Sequence, residues 1–162
     1  MQITLDQLRT QFEAFKLEFA DLKKSQLETQ KSYSTSLVVL RDSTVHASET
    51  AQKAAKAAEH SLFCSNECLK AARSAAQSFL VEVAQAAADA AHHAAQSALE
   101  SAATAASAAA SAAMAVAHHE EIIFSSASTA AAEASSKAAA FAAQAVVLSN
   151  QAREFANQAT RK

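Results

Sequence analysis

The stretch SALESAATAASAAASAAMAVA, residues 97–117, decides the fold class of this chain. More than half of it is alanine, the residue with the highest intrinsic helix propensity, and its only charged residue is Glu100. A helix with so few charges has no well-solvated face, so it must pack against other helices. Side chains this small let helices approach at or below the lower end of the usual range of about 8–10 Å between axes.

The composition of the whole chain supports the same fold class. The 162 residues include no glycine and no proline, and 43 of the 46 alanines follow residue 50. Glycine and proline build most tight turns, so a β-rich domain is excluded on composition. We predict an all-α protein of long, closely packed Ala-rich helices, arranged as a coiled coil, a bundle or helical hairpins. We expect more than about 80% helix.

A heptad pattern of large apolar residues marks the N-terminal part of the chain. Such a pattern predicts a helix that packs along this row against another helix, and we expect it to serve self-association. We call this row the N-terminal seam; it consists of Leu5, Leu8, Phe12, Phe15, Phe19 and Leu22, spaced 3, 4, 3, 4, 3. Thr4 and Gln7 have the spacing of a capping box, and Ile3 with Leu8 that of a hydrophobic staple.

The sequence divides into two regions of different composition. Residues 1–45 contain the amphipathic heptad helix and a Ser/Thr-rich joint, and residues 46–162 form an Ala/Ser-rich helical region. The joint, within residues 31–50, is the best candidate for a bend, although a helix could run through it. A faint duplication aligns EHSLFCS at 59–65 with EEIIFSS at 120–126, which places possible reversals near 65–66 and 125–126.

The alanine tract itself also has a period. One row of apolar residues has a spacing typical of an eleven-residue (hendecad) repeat, namely Ala87, Ala91, Ala94, Ala98, Ala102, Ala105, Ala109, Ala113 and Val116. Because alanine lies on nearly every face, other rows are possible. We predict that Ala98, Ala102, Ala105 and Ala109 lie in a close-packed interface and contribute to self-association, either of the chain with itself or between copies.

The residues that could bind a metal are few. His60, Cys64 and Cys68 lie at i, i+4 and i+8 on one helix face, and imidazole and thiolate are zinc ligands. Successive members rise about 6 Å along a helix, which spreads them too far apart to surround one ion without a second chain. We therefore expect no bound metal and no cofactor. No phosphate-binding loop or nucleophile motif is present, so we expect no enzyme activity.

Charge and hydropathy limit the possible partners. The net charge of −2 and the pI of about 6.3 give no basis for nucleic-acid binding. The uncharged stretch 101–117 is shorter than the roughly 20 strongly apolar residues of a membrane span. No cleavable signal precedes the seam, so we expect synthesis in the cytoplasm with reduced cysteines. No small-molecule substrate is evident, and the expected partner is the chain itself.

Two segments resemble known Ala-rich proteins in composition. ASETAQKAAKAAE (47–59) and SAATAASAAASAA (101–113) are similar to the Ala/Ser stalks of phage tail fibres and to the Ala-rich helices of silk and of helical antifreeze proteins. The antifreeze likeness would require threonine every eleven residues, whereas Thr104 and Thr129 are 25 apart. The tail-fibre likeness implies a coiled-coil stalk, although the receptor-binding tip of such fibres has no counterpart here.

These observations together favour a structural protein without catalytic activity. Our leading hypothesis is a homo-oligomer that builds a filament, ribbon or other ordered polymer through close-packed Ala-rich helices. One alternative is a coiled-coil stalk or adaptor that holds other proteins apart. Another is a peripheral coat on a lipid or polymer granule.

Overall fold

The computed structural model of the protein consists of three α-helices and describes residues 4–118 and 122–161. The helices are α1, Leu5–Gln77, α2, Val81–His118, and α3, Ile122–Thr160. About 97% of the described residues are helical, which confirms the predicted all-α fold and its helix content. The chain divides into two compact units, Met1–Leu40 and Arg41–Lys162, which we call the N-terminal segment and the bundle.

The Ser/Thr-rich joint is part of an unbroken helix, the second of the two possibilities left open for it. Residues 31–50 all lie within α1. Hydroxyl groups there donate back to the carbonyl four residues earlier, for example Thr35 to Lys31 at 2.9 Å and Thr50 to His46 at 2.8 Å. This bonding satisfies serine and threonine hydroxyls without interrupting a helix, so their abundance does not require a break.

The chain reverses direction at residues 78–80. α1 continues through residues 65–66, which corrects the first of the two predicted reversals. The chain reverses again between the end of α2 at His118 and the start of α3 at Ile122, a few residues before the 125–126 predicted for the second, and α3 already includes 125–126. At the end of α1 the Leu80 N–H donates to the Ala75 carbonyl at 2.9 Å, and the Phe79 N–H donates to the Ala76 carbonyl at 3.3 Å. Phe79 has φ of 59°. This is a Schellman-type helix end with phenylalanine at the left-handed position that glycine usually occupies.

The bundle packs all three helices around a shared interior. Near one end, residues 51–58 of α1 meet 105–112 of α2 and 131–138 of α3. Near the other end, residues 72–75 of α1 meet 84–91 of α2 and 152–159 of α3. α2 is therefore antiparallel to both neighbours, and α1 and α3 run parallel within the bundle. The inward face of the alanine tract of α2 is covered by helices of the same chain.

The interior of the bundle is made of alanine. Every buried apolar residue in the described ranges is alanine, and the largest fully buried side chain there is Ser65. Larger side chains such as Leu62, Phe141 and Val146 pack only partly buried against this interior. Each methyl group contributes little apolar area, so stability depends on many small contacts along the length of the helices.

The buried rows repeat every seven residues. In α2 they are Ala84, Ala88, Ala91, Ala95, Ala98, Ala105, Ala108, Ala112 and Ala115. Buried residues of α3 follow the same period in Ala138, Ala142, Ala145, Ser149, Ala152, Ala156 and Ala159. The eleven-residue row predicted for α2 therefore differs from the buried one, and its member Ala113 is exposed. Alanine on many faces permits several rows, and packing against α1 and α3 selects the seven-residue row.

Candidate self-association surface

The N-terminal segment begins with a defined helix cap. The side-chain oxygen of Gln7 accepts a hydrogen bond from the Thr4 N–H at 3.2 Å, and the Leu8 N–H donates to the Thr4 carbonyl at 3.2 Å. The first of these bonds is the backward half of the predicted capping box. Asp6 in the first turn places a negative charge where the helix dipole is positive. The predicted staple of Ile3 on Leu8 involves a residue outside the described ranges.

The N-terminal seam is an apolar helix face that no part of its own unit covers. Its three phenylalanines, Phe12, Phe15 and Phe19, are 59%, 63% and 60% exposed. Its three leucines, Leu5, Leu8 and Leu22, are also exposed. Six large apolar side chains along one row are unusual on a soluble surface, where apolar residues are normally scattered singly. In the structure these six residues therefore form an exposed apolar row along α1.

Contacts within the seam partly organise its aromatic side chains. The rings of Phe15 and Phe19 stack with centroids 6.4 Å apart and an angle of 24° between their planes. The Lys16 ammonium lies 5.1 Å from the centroid of the Phe12 ring and 3.1 Å from the Glu13 carboxylate. The carbon stem of Lys16 therefore flanks the seam while its charge reaches water. An incoming helix would meet side chains that already hold a preferred arrangement.

The four alanines predicted to self-associate lie inside the bundle. Ala98 and Ala105 are completely buried, and Ala102 and Ala109 are partly buried against the same interior. Their neighbours belong to α1 and α3 of the same chain and are mostly alanines, together with Leu62 and Val146 in the cluster of Ala98. We assign to these four residues close packing within the chain. Of the two surfaces predicted to self-associate, the N-terminal seam is the exposed one.

The candidate metal ligands stay on one uninterrupted helix. His60 and Cys64 are exposed and Cys68 is half-buried, all on α1. Within residues 4–118 and 122–161, no three His, Cys, Asp or Glu side chains are grouped closely enough to hold a metal ion. Burial raises the pKa of the Cys68 thiol, and the neighbouring Cys64 and Glu67 raise it further. The raised pKa favours the protonated thiol of Cys68. The thiol is a weaker metal ligand and a weaker nucleophile than the thiolate.

Several exposed apolar residues on the bundle escaped the sequence analysis. Phe79 and Leu80 lie at the reversal, and further large side chains project from the helices, namely Phe63, Val83, Leu99, Met114 and Val147. Their exposure could not be read from the sequence, because it depends on which alanine row faces inward. In the described part of the chain, none of the helices combines the length and the apolarity that crossing a membrane requires.

Comparison with known proteins gives no relative. No protein-family model, curated protein or solved structure matches the chain. Function therefore has to be inferred from the surfaces of the molecule itself.

Proposed function

We propose that this chain is a non-catalytic structural protein that self-associates through the N-terminal seam, with the alanine bundle as a spacer beside the point of assembly. The exposed seam carries this proposal. Burying a leucine or phenylalanine side chain is worth about 1.5–3 kcal/mol, and six such residues per copy stand largely in water. A heptad row is the pattern by which helices pack on one another, so a second copy of the same helix fits it.

The bundle supports a spacer in preference to the polymer favoured from sequence. That hypothesis rested on the need to cover the alanine tract, and α1 and α3 of the same chain cover its inward face. When copies related by a rotation axis all associate through the same surface, they form a closed oligomer of fixed size. Such a contact does not by itself produce a filament. A coiled-coil stalk or adaptor is therefore the leading form of the proposal.

A polymer is the second candidate, and the exposed apolar side chains of the bundle favour it. Growth needs a further contact besides the seam, and residues such as Phe63, Leu99 and Met114 offer apolar surface for one. A lipid coat is less favoured. The N-terminal segment carries five basic and five acidic residues, so it has no net positive charge to attract anionic lipid.

The test is to compare Phe15→Ala with Leu17→Ala. Both residues are exposed and apolar on the same helix, but Leu17 lies off the seam. If Phe15 becomes enclosed on assembly, its loss costs about 3–5 kcal/mol, which weakens association by roughly 100-fold or more. Leu17→Ala should assemble like the unmodified chain. Sedimentation equilibrium of the full chain measures both, and circular dichroism checks that helix content is unchanged.

Negative-stain microscopy of the same samples separates the forms of the proposal. Discrete rods would support the stalk, and regular filaments or ribbons would support the polymer. A full-length chain that stays monomeric at all concentrations, or that forms oligomers insensitive to Phe15→Ala, would overturn self-association through the seam. Monomers that bind lipid vesicles would point to the coat instead.

A further inference from the structure

The residues that flank the N-terminal seam carry an uneven distribution of charge. In the heptad frame with Phe12 and Phe19 at a positions, the e positions are all basic, namely Arg9, Lys16 and Lys23. The g positions on the opposite flank are Gln11, Glu18 and Ser25. Charges at e and g lie beside the contact between two helices and determine partner choice and orientation. The two flanks of this seam are therefore not equivalent.

The distribution distinguishes the two possible orientations of a second copy. In a parallel pair, each g residue lies near the e residue five positions later on the other helix, so Glu18 of each copy faces Lys23 of the other. In an antiparallel pair aligned over the seam, e residues face e residues, so Arg9 of each copy faces Lys16 of the other. The first arrangement gives two attractive pairs and no repulsive one, and the second gives two repulsive pairs.

We infer that the second copy lies parallel to and in register with the first, and that Glu18–Lys23 ion pairs between the copies determine this orientation. The inference rests on the proposed function. Both side chains are available for this role. In the part of the chain that the structure describes, the ion pairs are Lys16–Glu13 and Lys70–Glu67, so neither Glu18 nor Lys23 is engaged in one. Both residues are exposed.

The apolar area is sufficient for a specific contact. A phenylalanine buries about 150–250 Å², and those of the seam are roughly 60% exposed, so the six rings of two copies would contribute roughly 700 Å². Six leucines add a comparable amount. The total of roughly 1,400 Å² lies just above the lower limit of about 1,200 Å² for stable specific interfaces. The aromatic seam supplies the affinity, and the flanking charges select the orientation.

The experiment uses the full chain with Glu18→Lys, Lys23→Glu, their double variant, and Lys24→Glu as a matched control. Lys24 lies next to Lys23 but at an f position, away from the contact. In a parallel pair, each single change at 18 or 23 turns two attractions into two repulsions. We expect the dissociation constant of each single variant to rise roughly 5–30-fold at low salt, where exposed pairs are least screened. Lys24→Glu should leave it within about twofold.

Mixing identifies the orientation. An equimolar mixture of the Glu18→Lys and Lys23→Glu chains restores both attractive pairs in a parallel heteromer, and the double variant restores them in a homomer. Both should associate within about threefold of the unmodified chain. If the unmodified chain associates through the seam but the mixture associates no better than either single variant, the parallel arrangement is refuted and the proposed function stands. If the unmodified chain is monomeric, the proposed function itself fails.

Discussion

Replacing Ala105 by leucine should test whether the interior of the bundle requires residues of methyl size. Ala105 is completely buried among alanines of all three helices, whereas its neighbour Ala106 is exposed. Leucine has nearly the helix propensity of alanine, so Ala105→Leu and Ala106→Leu change the helix preference equally. The two variants differ only in where three additional carbon atoms must fit. The comparison therefore isolates packing from helix formation.

The expected cost follows from the absence of space at residue 105. Overpacking of a well-packed interior typically costs about 1–3 kcal/mol, and the buried residues around Ala105 are alanines, which have no side-chain rotamer to change. The larger Phe141 is only partly buried against the same interior. For a unit the size of the bundle this corresponds to a fall in melting temperature of roughly 3–15 °C. Ala106→Leu should stay within about 2 °C of the unmodified chain, since surface substitutions rarely exceed about 0.5 kcal/mol.

Thermal unfolding followed by circular dichroism at 222 nm measures both variants. Helix content at low temperature should remain high in each, because the substitution affects contacts between helices and not the helices themselves. Equal melting temperatures for the two variants would refute the reasoning. That result would mean that the three helices separate easily around residue 105 and that alanine there is not selected for its size.

Two further predictions concern the reversal and the cysteines. Phe79→Gly should raise the stability of the protein by about 1 kcal/mol. A left-handed backbone costs a non-glycine residue roughly 1–2 kcal/mol, and the greater freedom of glycine in the unfolded chain cancels part of the gain from removing that cost. A lower melting temperature would show instead that the Phe79 side chain stabilises the turn. Iodoacetamide at pH 8 should alkylate Cys64 faster than Cys68, because the raised pKa of Cys68 leaves less thiolate at that pH and its side chain is half-buried. Peptide mass spectrometry over time measures both rates, and faster modification of Cys68 would contradict this assignment.

Sequence reasoning predicted the fold class but not the topology. Helix content follows from local propensity, which the alanines and the missing glycine and proline make plain. The reversal at Phe79 has no such signal, because a phenylalanine in a left-handed conformation is not a recognised turn residue.

The sequence also did not show which face of each bundle helix points inward, for a physical reason. Periodicity identifies a buried face only where apolar residues are confined to it. That condition is met at Phe12, Phe15 and Phe19, whose spacing puts them along one face of α1. It fails around Ala105, where alanine or serine occupies almost every position. We propose that a second copy covers the seam, and only the charges that flank the seam distinguish the possible orientations of that copy.

An interior lined mostly by alanine specifies the axial alignment of the helices only weakly. If α2 moved past α1 by seven residues, about 10.5 Å, most alanines would meet alanines again, and little contact energy would separate the two states. Cores of mixed large and small residues prevent such sliding by shape, which this core lacks. The three-residue connection at 78–80 must therefore fix the alignment of α1 and α2. Lengthening this connection by a few flexible residues would release the helices into several alignments, so the turn and not the core determines which one the bundle adopts.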